Sequence, residues 1–97
     1  MKTETLLERL EELIERLGYD LRKEKGNFTG DHCIVEGDKL VVVNKNRPLE
    51  MQVGTYARVL RQIGLEDVYV KPAVREELED LWARIDNFES TEENSED

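Results

Sequence analysis

The sequence predicts a small α+β fold, on three observations. Apolar residues recur at helical spacing before Gly18, the period shortens to two residues between Tyr19 and Asn44, and helical spacing returns after Pro48 and again after Pro72. The expected order is α-β-β-β-α-β-α, with a small, mainly antiparallel sheet packed by helices over residues 1–88 and a disordered acidic tail over 89–97.

In the first helix Leu6, Leu7, Leu10, Leu13, Ile14 and Leu17 make an apolar stripe opposite Glu8, Arg9, Glu11, Glu12, Glu15 and Arg16. Thr3 or Thr5 is placed to cap it, with Glu8 completing a capping box after Thr5, and Gly18 supplies the left-handed residue that ends a helix. The stripe spans two heptads, which allows a coiled-coil dimer, although packing on a sheet uses it as well. Tyr19 and Leu21 then alternate with Asp20 and Arg22 as a strand, and Lys23 to Gly30 reads as a polar loop around Phe28. A second strand, His32 to Glu36, is expected to turn at Gly37-Asp38 into a third, Leu40 to Val43. The third strand is apolar on both faces and is therefore central, so Val42→Asp is expected to prevent folding. Pro48 suits a first helical position, and Leu49, Val53, Tyr56, Leu60 and Ile63 form the stripe of a second helix that ends at Gly64. Val68-Tyr69-Val70 reads as an edge strand. Pro72 opens a third helix with Val74, Leu78, Leu81, Trp82 and Ile85 on its apolar side.

Length and composition narrow the class. A chain of 97 residues with 38% apolar content supports one small core. The formal charge of −9 argues against a general nucleic-acid or anionic-membrane binder, whose footprint must be basic to displace counterions. Five of the excess acids, Glu89, Glu92, Glu93, Glu96 and Asp97, fall in 89–97, where no apolar residue offsets the entropy of ordering. The same acidity suits a protein from high-salt surroundings. No run approaches a membrane span, and Met1–Leu17 lacks the apolar core of a secretory signal, so the expected location is cytoplasmic. Cys33 has no disulfide partner within the chain and is expected to be a small buried residue.

The polar chemistry concentrates in Gly26-Asn27-Phe28-Thr29-Gly30-Asp31-His32-Cys33 and in Asn44-Lys45-Asn46-Arg47-Pro48. Asp31, His32 and Cys33 are metal-ligand types, but neighbours on a strand point to opposite faces, so His32 and Cys33 do not share an ion, nor do they form a base and nucleophile pair. No metal, cofactor or catalytic residue is expected. The carboxylate pairs Glu11 and Glu12, Glu76 and Glu77, and Glu79 and Asp80 read as solvated helix faces, since acid–base work requires desolvating one member. Gly26 to Gly30 lacks the spacing and the lysine of a phosphate loop. What remains is a local basic patch: Arg22, Lys23 and Lys25 before the loop, Lys45 and Arg47 before the second helix, and Arg58 and Arg61 on that helix, with Phe28 and Tyr56 as stacking surfaces.

A helix ending at Gly18-Tyr19, a hairpin with Leu40-Val41-Val42-Val43-Asn44, and Pro48-Leu49-Glu50 leading into a helix resemble the amino-terminal layout of ImmA/IrrE-type metallopeptidases over roughly residues 5–63. In that family the helix after the hairpin carries H-E-x-x-H. Here it reads Thr55-Tyr56-Ala57-Arg58-Val59-Leu60, so the resemblance implies a layout without catalysis. Gly26-Asn27-Phe28 with Cys33, Asn44-Lys45, and Asp67-Val68-Tyr69 with Lys71-Pro72-Ala73-Val74-Arg75-Glu76 are similar to stretches of short uncharacterised bacterial proteins, which imply no activity.

These readings favour a non-catalytic protein-interaction module, monomeric or weakly homodimeric, whose apolar surface is expected around Trp82 and Phe88. A weak binder of single-stranded nucleic acid or a phosphate-bearing ligand through the local basic patch is the alternative, and an enzyme comes last because the catalytic chemistry would have to arrive with a substrate or cofactor.

Overall fold

The computed structural model describes residues 1–25, 32–35 and 37–95, and at 32, 33 and 88–95 it describes the backbone alone. The expected loop around Phe28 and Asp31, and Glu36, lie outside the described residues. The elements are α1 (Thr3–Arg16), β1 (Asp20–Glu24), β2 (His32–Val35), β3 (Leu40–Asn44), α2 (Leu49–Ile63) and α3 (Pro72–Ser95). This is the expected α+β class.

The apolar stripe of α1 is buried at Leu6, Leu7, Leu10, Leu13 and Ile14. It packs chiefly on α2 and secondarily on β1, so it is spent inside the fold and no coiled-coil seam is left on this face. Lys2 occupies the N-cap position without a side-chain hydrogen bond, in place of the expected threonine cap. The far end follows the sequence closely. Gly18 has φ +90°, its N–H donates to Glu15 O at 2.9 Å, and the Tyr19 N–H donates to Ile14 O at 3.3 Å. That is the Schellman pattern, which needs a residue tolerant of the left-handed region.

The sheet has the order β1-β3-β2. β3 is central, as its apolar run requires. It pairs antiparallel with β2, with Cys33 opposite Val42 and Val35 opposite Leu40, and parallel with β1, with Leu21 opposite Val41. The sheet is thus mixed rather than mainly antiparallel. A β1-β2-β3 meander satisfies the same local pattern, and the choice of neighbour for β1 rests on long-range packing. The register of Val35 opposite Leu40 centres the β2–β3 reversal on Gly37-Asp38, as expected, and Lys39 takes the left-handed conformation at φ +50°.

Pleating sorts β3 into two faces. Val41 and Val43 are 0% and 2% exposed beneath the helices, whereas Leu40 and Val42 look the other way and are half-buried. The position at which an introduced charge would be unsupported in the core is therefore that of Val41, where the expectation had placed it at Val42.

Pro48 sits just outside α2 as its N-cap rather than at the first helical position, and Gly64 ends the helix at φ +93°. Leu49 is exposed, while Thr55, Ala57 and Val59 are buried in addition to Val53, Tyr56 and Leu60. The buried face is wider than one stripe because α2 touches α1, the sheet and α3. Residues 68–70, expected as an edge strand, pair with no strand of the sheet; they form a connection in which Val70 is buried and Tyr69 is exposed. Pro72 opens α3 as expected. Val74 and Leu78 are buried and Leu81, Trp82 and Ile85 half-buried, after which the backbone stays helical through Ser95, past the expected domain end at Phe88. No glycine or proline interrupts that stretch. Because the described core contacts of α3 end by Ile85, a chain ending at Phe88 is expected to melt within about 4 °C of the full chain, a loss below roughly 1 kcal/mol. A larger drop in a thermal melt would show that the last turns dock on the fold.

Candidate interaction surface

The basic residues singled out from the sequence do not converge. β1 divides the first three: Arg22 lies on the sheet face away from the helices, beside Val42, while Lys23 lies on the helix-covered face. Lys23 Nζ is 2.6 Å from Glu11 Oε1 on α1. The same oxygen accepts a hydrogen bond from the Tyr56 hydroxyl at 3.2 Å. Tyr56 is fully buried, so it is a core residue tying α2 to α1 and offers no stacking surface. Burial, reinforced by the neighbouring Glu11 charge and by the hydrogen bond to it, raises the Tyr56 hydroxyl above the ordinary tyrosine range. Lys23 and Tyr56 therefore belong to one structural tie across α1, β1 and α2.

Lys25, Lys45 and Arg47 are exposed at the other end of the sheet, where the Lys45 N–H donates to Glu24 O at 3.0 Å and continues the parallel ladder. Much of the polarity of 44–48 is spent on chain reversal. Asn44 Oδ1 accepts from the Asn46 N–H at 3.0 Å, and Gln52 Nε2 donates to Arg47 O at 2.7 Å. Arg58 lies about 14 Å of helical rise beyond Leu49, the first residue of α2, too far to join that group on one small ligand. Phe28 lies outside the described residues.

Arg61 faces α3. It holds Asp86 with both nitrogens, at 2.7 and 2.9 Å, and its guanidinium carbon lies 5.9 Å from the centre of the Trp82 ring. The Arg61 hydrogen bond, aided by its charge, lowers the Asp86 carboxyl below the usual range. Asp86 is therefore expected to titrate below a model aspartate by NMR, and Arg61→Ala to return it to the ordinary range. Since the pair is exposed, that substitution should barely change stability. Trp82 Nε1 donates to Ala57 O at 2.7 Å. Trp82 thus joins α3 to α2 while staying half-buried at a cleft it lines with Leu60, Gly64 and Leu65; the Phe88 side chain lies outside the described residues.

Among the described residues no group of three or more His, Cys, Asp or Glu side chains is placed to hold a metal ion, and no helix is long and apolar enough to cross a membrane. The side chains of His32 and Cys33 are outside that description.

Among the described residues the most exposed large apolar side chain is instead Tyr69, at 70%. It stands over a groove between α1 and the start of α3, whose floor is Leu13, Val70 and Val74. Arg9, Glu12 and Arg16 of α1 form one bank and Lys71 the other. The α1 residues follow helical spacing, but Tyr69 and Lys71 reach them only through the 64–71 connection, so no local pattern marks the site. Comparison with protein-family models, with curated proteins and with solved structures returns no match.

Proposed function

We propose that this chain is a non-catalytic protein-interaction module acting in the cytoplasm, as a monomer or weak homodimer. The observation that carries this reading is Tyr69, an aromatic side chain left 70% exposed beside a groove with an apolar floor. Tyrosine supplies contact area at low entropic cost, which suits an interface. A pull-down with the full chain and with Tyr69→Ala, each with and without nuclease, tests it. A protein retained through nuclease treatment by the full chain and lost with Tyr69→Ala is the expected result; retention of nuclease-sensitive material alone would refute it.

A second reading, a weak binder of single-stranded nucleic acid or a phosphate-bearing ligand, is supported by one arrangement. Lys25, Lys45 and Arg47 lie near the start of α2, whose first amides have no side-chain cap. If it holds, affinity for a short oligonucleotide falls steeply between low and physiological salt and Lys45→Glu abolishes it. Flat salt dependence would dismiss it.

A further inference from the structure

We propose that the groove beneath Tyr69 receives an acidic peptide segment through one apolar anchor side chain. The inference rests on the interaction-module reading and names the chemistry of its partner.

Size decides the anchor. The groove encloses about 30 Å³, the space of two or three waters. The leading edge of one apolar side chain enters this volume, which encloses no ring whole, whether a phenyl, a nucleobase or a cofactor's. The floor it meets is apolar, and Tyr69 supplies an aromatic wall at the mouth. One inserted aromatic or aliphatic residue satisfies both.

Charge decides the flanks. Arg9 is matched by Glu12 at 3.2 Å. Arg16 and Lys71, on opposite banks, have no carboxylate partner among the described residues. The groove is therefore locally positive in a chain that carries 23 acidic and 14 basic residues. Acidic residues on either side of the anchor would meet these two cations, and a basic segment would be repelled. Charge complementarity of this kind sets partner choice and encounter rate more than raw affinity.

Fluorescence anisotropy of labelled five-residue peptides tests the assignment. The probes are Glu-Glu-Phe-Glu-Glu, its alanine-centred analogue, and Lys-Lys-Phe-Lys-Lys. The acidic phenylalanine peptide is expected to bind saturably, with the alanine analogue weaker by about tenfold and the basic peptide not binding. Lys71→Glu and Arg16→Glu each should weaken binding by about tenfold or more, while Arg84→Glu, about 15 Å along α3 from Val74, leaves it unchanged. All three sites are exposed, so thermal melts should confirm that the variants fold. No saturation by the acidic peptide below about 1 mM, or equal weakening by Arg84→Glu, overturns the assignment. Sedimentation showing a dimer that Tyr69→Arg dissociates would overturn it as well, by giving the groove to a second copy of the chain. Either failure leaves the interaction module standing if the nuclease-resistant partner persists in the pull-down.

Discussion

Val41→Asp is expected to abolish the cooperative thermal transition. Val41 is fully buried on the central strand, between Leu21 of β1 and Ile34 of β2, on the face covered by the helices. A carboxylate there has no cation within reach on the same strand, and its desolvation costs several kcal/mol even after relaxation. That approaches the whole stability of a small domain, about 5–15 kcal/mol. Val42→Asp is the informative companion. It differs by one position but faces away from the helices, half-buried beside Arg22, so the variant is expected to fold with a lowered midpoint. Circular-dichroism melts decide it: greater damage from Val42→Asp than from Val41→Asp would invert the assignment of the faces.

Substitution of Tyr56 should give the next largest effect and separate packing from hydrogen bonding. Tyr56→Ala opens a cavity where α1, α2 and the sheet meet and is expected to cost about 3–5 kcal/mol, by analogy with other buried aromatic truncations. Tyr56→Phe keeps the ring and removes only the bond to Glu11, which retains Lys23, so a loss of about 1 kcal/mol is expected. A near-equal loss for the two variants would mean that the hydroxyl, not the ring, holds the helices together. The hydroxyl also makes stability depend on pH. Its folded pKa is raised above the unfolded value of about 10. The contribution is therefore complete below that pH and is lost progressively as pH rises from there through the folded value, because the unfolded chain releases a proton that the folded chain retains. In an alkaline absorbance titration the Tyr56 hydroxyl should ionise only as the chain unfolds. Tyr56→Phe should remove that alkaline destabilisation.

Features whose causes are local were legible in advance. Gly18 ends α1 because the next turn demands a positive φ, Pro72 begins α3 because its ring presets the helical φ, and four consecutive apolar residues make β3 central. The basic patch was not legible as a patch. Arg22 and Lys23 are neighbours in sequence but opposite across the pleat, and Arg58 and Arg61 lie on the same helix as Arg47's neighbours yet far along it. The wider burial of α2 was hidden as well. Thr55 and Ala57 are too small or too polar to register as a second stripe, and their burial follows from having helices and sheet around α2. Val68-Tyr69-Val70 has strand-like residues without a strand, since a ladder needs a neighbour and these residues pair with neither outer strand of the sheet.

By itself the sequence determined the helices, the hairpin strands, the central position of β3 and the acidic balance, because period, caps and charge act over a few residues. Tertiary structure alone decided that β1 runs parallel to β3, that Val41 and not Val42 enters the core, that Lys23 and Tyr56 meet at Glu11, and that Tyr69 stands over a groove between α1 and α3. Each of these joins residues distant in the chain, and only packing of the whole core selects among the arrangements that local preferences allow.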